Sequence, residues 1–232
     1  MARVLLGHME MDLRFRDRRY AGRVLADKLE AYAGRGDVLV LGLPRGGVPV
    51  AFEVALALRA PLDVFLVRKL GVPGYEELAM GAIAPGGIRF IDWNTVEAVG
   101  VTKSALERVT RNEELELERR ERLYRGNGGA PAIADRVVIL VDDGLATGST
   151  MRVAVTAVRQ QHPARVVVGV PVGAQETCRV LATIADEVVC AWTPERLHSV
   201  GGWYDDFSQT TDAEVRELLA TASQKEALDA RA

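Results

Sequence analysis

The stretch Val137-Val138-Ile139-Leu140-Val141-Asp142-Asp143-Gly144-Leu145-Ala146-Thr147-Gly148-Ser149-Thr150 decides the fold. Five apolar residues in a row, closed by turn residues, predict a strand buried on both faces. Such a strand delivers Asp142 and Asp143 to the carboxyl edge of a sheet, where ligands of open parallel sheets bind. Small and hydroxyl residues then open a helix, whose free N–H groups and positive dipole end can hold a phosphate. Thr147, Ser149 and Thr150 add hydroxyl donors, and Gly148 lets the backbone approach closely. Two carboxylates beside a phosphate site need a reason, because they repel the same anion. A ribose cis-diol, which donates two hydrogen bonds and carries no charge, is one; a bound Mg²⁺ is another. An Asp-Asp pair alone also reads as a solvated strand end, and a Gly-Ser-Thr turn alone is common. Both halves, in order and behind an apolar strand, describe a sugar-phosphate pocket.

Strands and helices alternate on either side of this stretch. Asp17 caps a helix running to about Tyr32, with Ala21, Val24, Leu25, Leu29 and Tyr32 on one face. Val38–Leu41 reads as a buried strand that stops at Leu43-Pro44-Arg45-Gly46-Gly47, and residues 48–59 return to a helical pattern. Leu62–Val67 reads as a second strand ending in Arg68-Lys69. From Leu70 to about Ile91 the chain is rich in glycine and proline, with short strands expected near Met80–Ile83 and Ile88–Ile91. The charged, glycine-free stretch 102–125 predicts a solvated helix. After the central strand come a helix to about Gln161, a strand over Arg165–Val172, a helix over Gln175–Ile184 and a strand over Glu187–Ala191. This alternation predicts an α/β domain, a mainly parallel sheet covered on both faces.

The composition narrows the function. The chain has 232 residues, 48% hydrophobic and 26% charged, with a formal net charge of −3. That is globular composition, and it argues against a general electrostatic grip on nucleic acid or anionic lipid. No run approaches the roughly 18 apolar residues a membrane helix needs. Two cysteines, Cys178 and Cys190, without a CxxC pair, fit a reducing, cytoplasmic setting. His8, His162 and His198 have no metal-site spacing. Residues 1–11 carry no functional weight.

Residues 137–150 resemble the signature of type I phosphoribosyltransferases, which bind 5-phosphoribosyl-1-pyrophosphate (PRPP). A Walker A loop would need a lysine that is absent here, and no GxGxxG occurs. From about Phe15 to Leu219 the chain resembles a subgroup of that family with undefined acceptors. The marks are Phe15-Arg16-Asp17-Arg18, Leu43–Gly47, Val67-Arg68-Lys69 and Gly201–Phe207. The resemblance implies one phosphoribosyltransferase-like domain over 12–222, with a small hood over about 193–212 and flexible ends at 1–11 and 223–232.

It also implies roles. Asp142 and Asp143 hold the ribose hydroxyls and, with substrate, Mg²⁺. Gly144, Ala146, Thr147, Gly148, Ser149 and Thr150 form the 5-phosphate loop. Arg45 and the N–H groups of Gly46 and Gly47 contact pyrophosphate, across a cis bond expected at Pro44–Arg45. Arg68 and Lys69, ending the second strand on the same edge, also reach pyrophosphate. Leu70–Gly81 is a mobile lid hinged at Gly71, Pro73 and Gly74, with Glu76 and Glu77 as acid–base candidates; a solvated loop is the plainer reading. Ala146 stands where some purine enzymes of the family have a carboxylate, so no base comes from that position, which weakens a hypoxanthine/guanine reading.

Trp203 and Asp206 are the hood candidates for binding a nucleobase-like acceptor, while Trp203, Tyr204 and Phe207 read equally as edge packing. The resemblance further implies a homodimer, with catalysis resting on Arg45, Lys69 and Glu77. The competing reading is a non-catalytic protein that senses PRPP or a nucleotide. In its favour stands a basic cluster, Arg14, Arg16, Arg18, Arg19 and Arg23, a possible nucleic-acid contact. A salt-bridged helix start is the plainer reading of that cluster.

Overall fold

The computed structural model describes residues 3–6, 14–126 and 128–229. Strand β1 (Arg3–Leu6) and helix α1 (Arg18–Lys28) precede β2 (Val38–Gly42), α2 (Gly47–Leu58) and β3 (Leu62–Val64). Next come β4 (Arg68–Val72), β5 (Tyr75–Ala84), β6 (Ile88–Ile91), α3 (Trp93–Val99) and α4 (Lys103–Arg125). The second half holds β7 (Val137–Val141), α5 (Ser149–Arg159), β8 (Arg165–Val172), α6 (Gln175–Leu181), β9 (Glu187–Trp192) and α7 (Asp212–Asp229).

Six parallel strands form the central sheet in the order β1-β9-β8-β7-β2-β3. From β2 the chain moves outward to β3; from β7 it moves the other way, to β8 and β9. The sheet therefore has its topological switch point between β2 and β7, where loops part and leave a crevice. Every residue of both strands is buried. Alternate side chains serve opposite faces. Val138 and Leu140 pack with Met151, Val155 and Val158 of α5 and Leu181 of α6. Val137, Ile139 and Val141 pack with Leu25 and Leu29 near α1 and Val50, Val54 and Leu58 of α2. Each such residue stabilises by about 1.5–3 kcal/mol, which anchors the residues that follow β2 and β7.

The expected strand over Leu62–Val67 ends at Val64. Phe65 still donates its N–H to the Gly42 carbonyl at 2.9 Å, but Arg68 and Lys69 begin β4 rather than finishing β3. β4, β5 and β6 form a separate antiparallel sheet. The stretch expected to be a lid is thus largely a β-hairpin, turning at Pro73-Gly74 between the paired Val72 and Tyr75. Proline followed by glycine is the usual order for a turn of this kind. Its buried side, Leu70, Val72, Met80 and Ile83, shares a core with Phe52, Leu106 and Leu117, and with Val215 and Leu218 of α7.

α3 and α7 were outside the sequence-based expectation. So was β1, which pairs with β9 from Arg3↔Glu187 to Leu6↔Cys190. His8 lies outside the described residues. Asp17 caps α1 as expected, its Oδ1 accepting the Tyr20 N–H at 2.7 Å. Among the described residues, no helix is long and apolar enough to cross a membrane.

Candidate functional site

Two loops meet at the switch point. Residues 43–47 leave β2 and residues 142–148 leave β7, stitched together where Leu43 donates its N–H to the Val141 carbonyl at 2.9 Å. The Pro44–Arg45 peptide bond is cis, as expected. Gly46 and Gly47 lie directly on the acid pair. A methyl group on Gly47 would stand 2.7 Å from the Val141 oxygen and 2.8 Å from Asp142 Cα, and one on Gly46 would collide with the Asp143 carboxylate. Glycine is required here because the backbone occupies the space of a side chain. One expectation is corrected. The Gly47 N–H is already donated to the Leu43 carbonyl at 3.0 Å, closing the turn. The N–H groups of Arg45 and Gly46 donate to no other group among the described residues.

Asp142 and Asp143 are largely buried. Asp142 Oδ1 accepts the Asp143 N–H at 2.9 Å, and Asp143 Oδ2 accepts Arg18 Nε at 2.9 Å. Burial, then the neighbouring Asp143 charge, pushes the Asp142 carboxyl well above the usual carboxylate range. Burial also raises Asp143, with the Arg18 guanidinium pulling the other way. Two carboxylates thus share one guanidinium, and the excess negative charge favours a cation or hydrogen-bond donors. Among the described residues no group of three or more His, Cys, Asp or Glu side chains could hold a metal by itself. Two carboxylates completed by ligand oxygens and water is nonetheless a usual donor set for Mg²⁺, so the residues fit that ion.

The phosphate loop is braced from beneath. Leu145 donates its N–H to the Val172 carbonyl and accepts from the Ala174 N–H, both at 2.9 Å. Thr177 on α6 donates its hydroxyl to the Ala146 carbonyl at 2.7 Å. Gly148 begins α5 with φ +68°, a left-handed conformation that suits glycine. The N–H groups from Ala146 to Thr150 make no hydrogen bond among the described residues. Unpaired donors at a helix N-terminus form an anion site. Gly144 lets the hood close in, since a methyl there would meet the Val200 side chain at 2.5 Å.

The family model described as "Phosphoribosyl transferase domain" matches residues 18–191. The chain belongs to this family. A relative named "Putative phosphoribosyl transferase Rv0571c", from Mycobacterium tuberculosis, is 46% identical over 209 residues, which is 90% of this chain and 47% of the relative. The chain therefore spans about half the length of the curated relatives it matches. The crystal structure of TT1426 from Thermus thermophilus is similar with a TM-score of 0.82 and 43% identity, covering 90% of this chain and 99% of that one.

Within this phosphoribosyl transferase domain, Asp142, Asp143, Gly144, Ala146, Thr147, Gly148, Ser149, Thr150, Gly46 and Gly47 converge on the switch point. Arg45, between Pro44 and Gly46 in the same loop, is exposed. Arg68 joins them, lining a small crevice with Leu43, Pro44 and Thr150, while paired to Glu113 of α4 at 2.6 Å. Lys69 and Glu77 do not line that crevice. They pair with each other at 3.2 Å, on a groove of about 500 Å³ between the hairpin and α4. Trp203 stacks near Trp192, with ring centroids 6.0 Å apart. Asp206 Oδ1 accepts the Ser208 N–H at 2.9 Å, and this bond leads the causes that hold its carboxyl below the ordinary range. Among the described residues neither Trp203 nor Asp206 hydrogen-bonds to the side chains of the acid pair.

Arg120 was not among the expected site residues. It lines the crevice with Pro44 and Thr150 and pairs with Glu116 at 2.8 Å. Its signal was masked because α4 reads as a uniformly charged, wet helix. Of the basic cluster only Arg18 turns inward, while Arg16, Arg19 and Arg23 stay largely exposed. Arg16 pairs with Asp17, Arg19 and Arg23 with buried Glu53, and Arg18 with Asp143.

Proposed function

We propose that this domain binds PRPP with Mg²⁺ and transfers its phosphoribosyl group to a nucleobase-like acceptor, releasing pyrophosphate. The observation that carries the reading is the meeting at one switch point of a buried acid pair, a helix start with unpaired N–H groups, and a glycine loop pressed on the acids. The helix start binds the 5-phosphate. Asp142 and Asp143 accept the ribose hydroxyls, which tethers the sugar and orients its C1. Arg45, Arg68 and the N–H groups of Arg45 and Gly46 face the pyrophosphate.

The C1–oxygen bond breaks as the acceptor nitrogen closes on C1. The sugar becomes oxocarbenium-like, and charge grows on the departing oxygen. In this reading Arg45 and Arg68 stabilise that charge, which is the main catalytic task of such a site. Mg²⁺, held by Asp142 and Asp143 with ligand oxygens, supplies further charge neutralisation when bound. Lys69 and Glu77 reach the pyrophosphate only if the hairpin bends toward the switch point, so they belong to a closed form.

The regulatory alternative keeps an exposed basic surface, because Arg16, Arg19 and Arg23 remain about half or more exposed in their ion pairs; only Arg18 is withdrawn to Asp143. The test is pyrophosphate release from PRPP and Mg²⁺ across a panel of nucleobases. Turnover by the natural protein, absent in Asp142→Asn/Asp143→Asn, is expected. PRPP binding without turnover on any acceptor would support the sensor, and no binding would end both readings.

A further inference from the structure

Arg18 lies 125 residues from the carboxylate it holds, and the chemistry above gives it no task. Its Nε donates to Asp143 Oδ2 at 2.9 Å and its Nη1 to the Ser208 carbonyl at 2.7 Å. The guanidinium carbon stands 3.8 Å from the centroid of the Phe207 ring. Phe207 in turn packs on Tyr204, centroids 5.0 Å apart, and the Tyr204 hydroxyl donates to the Asp143 carbonyl at 2.6 Å. The backbone N–H groups of Asp205 and Asp206 donate to the Phe15 and Arg16 carbonyls at 2.9 and 3.0 Å. The first turn of α1 and the segment 204–208 therefore form one clamp. Arg18 grips the side chain of Asp143 and Tyr204 grips its main chain.

What the clamp leaves open matters more. One oxygen of each acid is engaged: Asp142 Oδ1 by the Asp143 N–H, and Asp143 Oδ2 by Arg18. Asp142 Oδ2 and Asp143 Oδ1 receive no hydrogen bond among the described residues. That leaves one free acceptor on each acid, as many as a sugar diol has hydroxyls to donate.

We propose that Arg18 is a positioning residue that makes the pocket select a ribose over a 2-deoxyribose, by holding Asp143 Oδ2 so that Oδ1 stays committed to a sugar hydroxyl. This rests on the PRPP reading given above. A site built to receive a hydroxyl rejects the sugar lacking it only when the stranded acceptor has no other partner. A carboxylate free to turn would find one, in water or in a backbone N–H. A fixed carboxylate does not. Lysine would restore the charge but not the planar fork that reaches Asp143 and Ser208 together while stacking on Phe207.

The test compares ribose 5-phosphate with 2-deoxyribose 5-phosphate by calorimetry with Mg²⁺, alongside thermal unfolding. The proteins are the natural one, Arg18→Ala, Arg18→Lys and Phe207→Leu. The natural protein should prefer ribose 5-phosphate by about tenfold or more, the scale set by one stranded buried acceptor. In Arg18→Ala the deoxy sugar should bind nearly as well as the ribose sugar, a ratio below about threefold. Arg18→Lys and Phe207→Leu should fall between. A purely structural role would lower the melting temperature, or both affinities together, and leave the ratio alone. An unchanged ratio in Arg18→Ala overturns the inference; should that variant not fold, an unchanged ratio in both milder variants does the same. A natural protein that binds both sugars equally overturns the inference and leaves the pocket standing. One that binds neither overturns the PRPP reading, and the inference with it.

Discussion

The two edges of the six-stranded sheet treat buried charge in opposite ways. At the amino edge, Glu187 accepts the Tyr32 hydroxyl at 2.5 Å and Arg165 Nη2 at 3.1 Å. Asp186 pairs with Arg159 at 2.9 Å and accepts the Val166 N–H at 2.7 Å. Burial works to raise the Asp186 carboxyl, but these partners outweigh it and hold the group below its ordinary value. At the carboxyl edge the balance fails. Burial and the neighbouring charge win at Asp142, whose carboxyl is raised well above its ordinary value. The same strands support both edges, so strand packing does not explain the difference. An edge whose acids each have a cation serves the fold. An edge one cation short is held ready for a ligand, and the surrounding core offsets the several kcal/mol such a charge costs.

The strongest challenge to this contrast is Arg45→Ala. The residue is exposed, so its loss should leave melting unchanged while lowering the rate of pyrophosphate release by about 10²–10³, as for other donors to growing negative charge. A fall in stability without a fall in rate would place Arg45 on the structural side. Gly47→Ala comes next. Its methyl group would press on the Val141 carbonyl and Asp142, so denaturant unfolding should show a loss of about 1–3 kcal/mol, together with weaker PRPP binding. The amino edge supplies the control. Glu187→Gln weakens the pairing with Tyr32 and Arg165 and should cost about 1 kcal/mol of stability, with PRPP affinity unchanged. Equal damage to binding from that substitution would break the comparison.

The smallest effect is expected on α4, at Tyr124. Burial, then the bond to Asp212, pushes the Tyr124 phenol up to about 12, against an ordinary value of about 10. The folded state keeps this proton while the unfolded chain releases it, so stability falls as pH rises from about 10 to about 12. Denaturant melts across that range should show the loss in the natural protein and a shallower one in Tyr124→Phe. PRPP binding at neutral pH should not change.

The half of the site built by short-range pattern was legible. Val137–Val141 announces itself by five apolar residues, and the acids, small residues and hydroxyls behind it must follow at the sheet edge. Leu43–Gly47 was legible by pattern only as a turn behind a buried strand; its expected role came from the family resemblance. The hairpin was not. The first residues of β5, Tyr75 to Leu78, are exposed, so no burial constraint imposes alternation, and Pro73 and Gly74 suggest a loose segment where they make a turn. Arg18 was hidden differently. Its local setting is an arginine cluster at a helix start, and its meaning comes from Asp143, which only the folded sheet brings within reach. The Gly47 N–H shows the reverse error: a glycine loop suggests free donors, and the fold spends one of them on its own turn.

The central claim is that the unbalanced acid pair receives PRPP. Calorimetric titration with PRPP and Mg²⁺ tests it, on the natural protein and on Asp142→Asn/Asp143→Asn. Saturable one-to-one binding that the substitutions reduce by about a hundredfold or more, the range for stranded polar partners, is the predicted result. Because Asp143→Asn removes the charge that Arg18 pairs with, the melting temperature of the ligand-free variant is measured alongside, and the comparison is made under conditions where the variant is folded. Binding that survives both substitutions, or a natural protein that does not bind PRPP, would contradict the account.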